Sequence, residues 1–474
     1  MAFRAGLHLA FANHVHRGGI AGLSTVVQAT RDGSFHCSVQ VVGAEHAAQA
    51  VAPAPTFTIN MDGATAVGKS VVDVAKAMCS STATTQVYQG GPNNKIGGIY
   101  CDDVNTLNSG LAVGTKLWIT KNNVDGSLEA FDRAIKQNAL TTVLDPSTCP
   151  APAFTSAVQT CAGTISVKAN GGFSDVEGAI WTARGAFNPA GVSYTTKSGF
   201  AGQGFGVAVS DKLYAALQNA QGLLPSEQPN ITKQQYTSIL NSAGAYHTDW
   251  TPFLGAAAPG ATNNMNLCRR TNFSGTQAGM EVYFLNNPCA AANPTVGQLN
   301  AVLDADSLGT FKVIENPGTS DVKTCLNAHN QNLVNAAVKA DGTAADEFAI
   351  GIMSLENTPS ATDHWHFVKL DGVSPTPDAS QRQTVIDGKY NYAFESVFVY
   401  RNDAFPASAG GSTNDLAHKN FMNKFIALLG DPAKVNPLVG IFTVPGTALY
   451  STFPTRVHRG TTGGNSCSPF SLAE

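Results

Sequence analysis

Three stretches of the chain place small residues and hydroxyls directly ahead of an apolar pattern with helical spacing. They are Gly63-Ala64-Thr65-Ala66, Gly126-Ser127 and Ser274-Gly275-Thr276. The first turn of a helix carries backbone N–H groups with no intrahelical partner, and the peptide dipoles leave partial positive charge there. Such a turn attracts an anion. Singly, each hydroxyl reads equally well as an N-cap that bonds only its own helix. Arg270 strengthens the anion reading, because it lies four residues before Ser274 in Arg270-Thr271-Asn272-Phe273-Ser274-Gly275-Thr276. A guanidinium beside a helix start can give paired, charge-assisted hydrogen bonds to an oxyanion. Asp175, in Gly172-Phe173-Ser174-Asp175-Val176-Glu177, adds a carboxylate. A carboxylate suits an anion site only if the anion brings its own proton. Hydrogen phosphate does so at neutral pH and fully ionised sulfate does not, so an acceptor here discriminates by repulsion.

The elements that must hold these residues alternate between strand and helix. Phe57-Thr58-Ile59 reads as a strand, Asp62–Thr65 as a turn, and Val67, Val71, Val74, Ala75 and Met78 as one helix face. Lys116–Thr120 is a second strand, followed by Asp125-Gly126-Ser127 and a helix near Leu128–Ile135. Gly206–Val209 and Leu267–Arg269 read as strands, each followed by a helix, at Leu213–Leu217 and Gln277–Leu285. Thr232–Leu240 is helical, Ala349–Met353 and Val397–Tyr400 are buried-type strands, and Phe421, Phe425 and Leu428 mark a late amphipathic helix. The succession predicts an α/β fold with largely parallel sheets. At 474 residues the chain is long enough for two such lobes around a cleft. The expected division is a leader or unstructured segment over 1–55, a first lobe over 56–202, a second over 203–355, and a return to the first lobe plus a tail over 356–474.

Composition narrows the function classes. Charged residues are 13% against 43% hydrophobic, and the net charge is -4. No basic stripe is available for a nucleic-acid backbone. No run of about 18 apolar residues spans a membrane. Five of the eleven histidines (His8, His14, His16, His36 and His46) fall in the first 55 residues, where Ala48-Gln49-Ala50 has the small-x-small form of a signal-peptidase site. His14 and His16 read as an incidental pair in this leader. An enzyme reading lacks a G-x-S-x-G elbow and an H-E-x-x-H helix. The best metal candidate is Asp363-His364-Trp365-His366, whose two imidazoles share a strand face but have no evident third ligand.

Nine cysteines, with no C-x-x-C pair, read as disulfides in an oxidising compartment. Chain proximity pairs Cys79 with Cys101, Cys149 with Cys161 and Cys268 with Cys289. Cys325 and Cys467 would form a fourth, long-range bridge, leaving Cys37 over.

Arg270-x-x-x-Ser274-Gly275-Thr276 resembles the R-x-x-G-S-G-T loop of the phosphate-binding proteins of ABC importers, with Phe273 where that family usually has Gly. Ile59–Thr65 resembles the first strand and loop of the same superfamily and the start of the DING-type proteins. Ser174-Asp175 resembles their S-D segment, and Gly126-Ser127 matches their serine-bearing second helix start. Ala349–Leu355 and Asp371–Thr376 resemble a later strand and turn, in the family's order. The resemblance implies a type II periplasmic-binding-protein-like fold and a secreted, monomeric protein with a signal peptide. It implies no cofactor and no metal, and an ABC importer permease as a possible partner. The ligand would be inorganic phosphate or a similar oxyanion, held by Thr65, the Ala66 backbone N–H, Ser127, Asp175, Arg270, Ser274, Gly275 and Thr276. The alternatives are a secreted structural or adhesive protein that keeps this fold without tight anion binding, or a secreted phosphatase-like hydrolase.

Overall fold

In the computed structural model, apolar runs bounded by glycine-rich turns form two separate β-sheets. The structure describes residues 24–29, 35–40, 51–242, 249–258, 265–289, 299–330, 348–376, 381–402, 416–435, 437–444, 457–458, 466–468 and 470–472. Residues 1–50 and 51–474 are two compact units. In the first, Ser24–Ala29 and Phe35–Gln40 pair as an antiparallel hairpin. His8, His14, His16, His46 and the small-x-small segment lie outside the described residues.

The second unit carries the candidate site. Its first strands are β1 (Phe57–Gly63), β2 (Thr85–Gly90), β3 (Ile96–Cys101), β4 (Leu117–Asn122), β5 (Gln159–Thr160), β6 (Gly171–Ser174) and β7 (Tyr194–Lys197). Then come β8 (Gly202–Ser210), β9 (Met265–Arg270), β10 (Phe311–Asn316), β11 (Ala349–Ser354), β12 (Trp365–Phe367) and β13 (Ala393–Glu395). The two large sheets are completed by β14 (Val397–Arg401) and β15 (Ile441–Phe442). One sheet has eight strands in the order β7-β14-β6-β1-β4-β3-β2-β5. The other has seven, with β10-β9-β11-β8-β12 in line and β13 and β15 paired to the beginning of β8.

The fold is α/β in two lobes, as the sequence pattern predicts, but each sheet is mixed. Each sheet contains one parallel triplet, β6-β1-β4 inside the first and β10-β9-β11 at one edge of the second, and β2 also pairs in parallel with the edge strand β5. Antiparallel neighbours flank the first triplet on both sides and the second on one, where β8 pairs with β11. Strand direction is set by long connections, such as the chain from Ser210 to Ala349 between β8 and β11, and leaves no local periodicity to distinguish it from a βα unit.

The chain passes from the first sheet to the second between β7 and β8. The second sheet, however, continues well past residue 355. Both β12 and β13 belong to it, and the return occurs at Ser396, between β13 and β14. The residues near 360 form the loop that carries the chain from β11 to β12, on the other side of β8.

Among the described residues, six helices of eight residues or more cover the sheets: α1 (Gly68–Ala75), α2 (Asp211–Ala220), α3 (Lys233–Leu240), α4 (Gly275–Leu285), α5 (Thr319–Asn330) and α6 (Leu416–Leu429). α4 is buried nearly all round, so it lies inside the packing between layers. α6 returns Phe421, Phe425 and Leu429 to the first lobe, against Val71, Ile119 and Phe173. Among the described residues no helix is long and apolar enough to cross a membrane.

Four disulfides staple these elements. Cys79–Cys101 and Cys149–Cys161 pair as chain proximity predicts. The other two correct the sequence reading: Cys268 bonds Cys325, and Cys289 bonds Cys467. Cys268 lies within β9 beneath α5, which carries Cys325. Cys289 follows the far end of α4, an 11-residue helix about 16 Å long, and cannot fold back to Cys268. The backbone of Cys37 lies in the N-terminal hairpin.

Mass mapping of unreduced tryptic peptides is expected to recover Cys268 joined to Cys325 and Cys289 joined to Cys467. Replacing Cys268 and Cys325 together by serine is expected to cost about 4 kcal/mol in urea unfolding, from the loop of 57 residues that the bridge closes.

Candidate oxyanion site

The parallel triplets determine where the site forms. Parallel strands all end on the same side, and loops leaving their carboxyl ends converge there. In the first lobe β1 leads to Thr65 and α1, β4 leads to Ser127, and β6 leads to Asp175. In the second, β9 ends at Arg270 and leads to α4, while β10 leads through Pro317 and Gly318 to Thr319 and α5.

The two sets of loops touch. Leu128 N donates to Phe273 O at 3.1 Å. Gly126 has φ +123°, and a Cβ there would stand 3.1 Å from Phe273 O and 3.3 Å from Ser274 Cα. Gly275 faces Ser127 so closely that a Cβ would lie 2.2 Å from the serine Oγ and 2.8 Å from Asp175 Cβ. Only glycine lets the start of α4 approach the first lobe in this way.

Arg270 is the centre of the arrangement and is 2% exposed. Its Nε donates to Asn316 O at 3.2 Å and its Nη2 to Pro317 O at 2.8 Å. Its Nη1 donates to Thr65 Oγ1 at 3.2 Å and to Thr319 Oγ1 at 3.1 Å. One guanidinium thus ties β9 to the loop before α5 and reaches across to the first lobe. Both threonine hydroxyls accept from Nη1 and stand 3.4 Å apart. Between them a proton remains to donate to an anion.

Asp175 is also 2% exposed. Thr276 Oγ1 donates to its Oδ2 at 3.2 Å, and its own N–H donates to Ser127 Oγ at 3.2 Å. Its second oxygen, Oδ1, is buried without a hydrogen-bond partner. A buried acceptor in this state is costly until a donor reaches it. Burial pushes the Asp175 carboxyl up to about 6, opposed by Arg270, Thr276, Lys121 and Ser127. Burial also pulls Arg270 down to about 10, against the attraction of Asp175 and Asp321.

A second cation lies under the loops. Lys121, on β4, donates from Nζ to Ala64 O at 2.7 Å and to Asn123 Oδ1 at 2.5 Å. It thereby fixes the turn that presents Thr65. Burial pulls its ammonium down to about 8, while Asp62, Asp175 and Glu356 hold it up. Glu356, just past β11, accepts from Ser70 N at 3.2 Å and also from Ser70 Oγ, so α1 is joined to the second lobe here as well. Burial pushes Glu356 up to about 8.

The structure thus gathers Thr65, Ser127, Asp175, Arg270, Gly275 and Thr276. Ala66 is buried in the turn ahead of α1. Ser274 is the N-cap of α4, its hydroxyl accepting from Gln277 N at 3.4 Å. Sequence reasoning missed Thr319 and Lys121. Thr319 had a visible signal, because Asn316-Pro317-Gly318-Thr319-Ser320-Asp321 has the turn and cap residues of a helix start. Lys121 had none, being one lysine at the end of a strand. The histidine pair is elsewhere and meets a single carboxylate at the start of α2. His364 Nδ1 stands 3.1 Å from Asp211 Oδ2, and His366 Nε2 3.0 Å from Asp211 Oδ1. No group of three or more His, Cys, Asp or Glu able to hold a metal ion occurs among the described residues.

No family model matches the chain, and no curated protein matches it significantly. Two solved structures are similar in chain course. One is described as a phosphate ABC transporter substrate-binding protein with bound phosphate, from Clostridium perfringens. It is 14% identical, with 81% of this chain and 99% of that one covered, at a TM-score of 0.41. The other is the CcmR regulatory domain of Synechocystis PCC6803 in complex with 2-PG. It is 8% identical, with 79% and 99% covered, at a TM-score of 0.33.

The raised Asp175 carboxyl has a signed effect on stability. In the folded chain it binds its proton more tightly than in the unfolded chain, where its value is near 3.8. Stability from this group is therefore full below about 4 and is lost as pH rises through about 6. Chemical unfolding of the wild type and Asp175→Asn across pH 4 to 7 is expected to show the wild type losing ground to the variant over that window. Parallel curves would contradict the burial of this carboxylate.

Proposed function

We propose that the protein is an extracytoplasmic solute-binding protein that captures a small tetrahedral oxyanion, inorganic phosphate by preference, between its two lobes. The observation that carries this reading is the pairing of Arg270 with an Asp175 oxygen that is buried and unpartnered. A cation and several hydroxyls supply donors to an anion, and a carboxylate acceptor beside them calls for an anion that also donates. Hydrogen phosphate meets both demands. Sulfate would set a bare oxygen against Asp175, and burial strengthens that repulsion.

On this reading Thr65, Ser127, Arg270, Thr276 and Thr319 donate to the anion, together with the first turns of α1, α4 and α5. Asp175 accepts its proton. On this reading the task is binding, for which donors around one acceptor are suited. Four disulfides support an oxidising, extracytoplasmic setting. A monomer that delivers its ligand to a membrane permease fits this setting.

Isothermal titration of the phosphate-free protein with inorganic phosphate is expected to give one site of micromolar affinity or tighter. Sulfate is expected to bind at least about a hundredfold more weakly. Arg270→Ala is expected to lose a hundredfold or more, as for truncating one partner of a buried charge pair. Phosphate affinity of the wild type is expected to fall as pH drops below about 6, where Asp175 takes up its own proton. Absence of heat with phosphate, in protein shown by native mass spectrometry to carry no anion, would reject the proposal in favour of a structural or adhesive role.

A further inference from the structure

Beside the site, but not part of it, a lysine of the first lobe meets an aspartate of the second. Lys95 Nζ lies 2.7 Å from Asp321 Oδ2, and each side chain is 13% exposed. That places the pair outside the class of solvent-exposed surface bridges, which contribute little.

The backbone on both sides is shaped for this contact. Asn93 and Asn94, just before Lys95, have φ of 51° and 56°. Two successive left-handed residues are unfavourable for most side chains and tolerable for asparagine. The turn is fastened by Asn123 N, which donates to Lys95 O at 3.1 Å. Asn123 is also the residue whose Oδ1 accepts from Lys121. Opposite, Gly318 gives the ammonium room, since a Cβ there would lie 3.1 Å from Lys95 Nζ and 2.8 Å from Asp321 Oδ2. Asp321 N closes the turn by donating to Gly318 O at 3.1 Å. Thr319, inside that turn, accepts from Arg270.

We infer that Lys95 is a positioning residue: its ion pair with Asp321 holds the first turn of α5, and with it Thr319, against the oxyanion site. The pair has a second effect. Asp321 is near enough to Arg270 to stabilise its charge, so an unneutralised Asp321 would also repel the incoming anion. Lys95 therefore supports affinity without touching the ligand. This inference rests on the phosphate reading for its affinity readout.

The test is a double-mutant cycle with inorganic phosphate as the probe, using Lys95→Met, Asp321→Asn, the two combined, and Lys95→Arg. Lys95→Met is expected to weaken binding roughly ten- to a hundredfold while the thermal midpoint moves little. Adding Asp321→Asn is expected to recover a large part of that loss, because the stranded carboxylate is gone. Lys95→Arg is expected to remain within a few-fold of wild type. Wild-type affinity in Lys95→Met, or losses in the two single variants that simply add in the double variant, would overturn the inference. Hydrogen exchange of the amides of residues 319–322 separates this from failure of the phosphate reading. If the wild type binds no phosphate, faster exchange there in Lys95→Met still supports the positioning role, and unchanged exchange overturns it.

Discussion

A guanidinium and a carboxylate buried together, away from water, constrain the rest of this molecule. Arg270 and Asp175 are each 2% exposed. Desolvating one ion costs several kcal/mol, and attraction between the two offsets that cost only when the remaining polar atoms are also satisfied. Arg270 meets the condition through two backbone carbonyls and two hydroxyls. Asp175 meets it for one oxygen only. The imbalance is what makes the place look like a site and not a structural ion pair.

From that pair outward, the architecture follows from strand direction. Loops converge only where neighbouring strands run the same way, and each sheet keeps one parallel triplet for this purpose. The antiparallel strands around them widen the sheets and carry the crossings between lobes. Close approach of the two loop sets depends on residues without side chains at the contact, Gly126 and Gly275. Substitution at either would push the lobes apart where Ser127 and Asp175 need to face α4.

Much of this was legible in the order of residues. Val67, Val71 and Val74 mark α1 by spacing, and Arg270 ahead of Ser274 marks a charged helix start. Local patterns of this kind survive because a helix face and a capped turn are decided within a few residues. Three features were not legible, each because it depends on contacts far apart in sequence. The partner of Cys268 is set by α5 packing over β9, some 57 residues away. The extent of the second lobe is set by β12 and β13 pairing with β8, which no local signal reports. Lys121 reads as an ordinary strand-end lysine until β1 is placed beside β4, when its ammonium is found under Ala64. The mixed character of the sheets escaped for the same reason, since strand direction is a property of connections.

The bridge between Cys289 and Cys467 spans 178 residues. A ribosome adding roughly 5–20 residues per second needs on the order of ten to forty seconds to make that stretch. During that interval the Cys289 thiol has emerged and its mate has not been synthesised. Cys325 emerges first, so correct matching depends on α5 settling over β9 early enough to remove Cys325 from competition. Oxidative maturation of this chain is thus a race between the packing of α5 and the arrival of Cys467, and a slow isomerase would leave its mark there first.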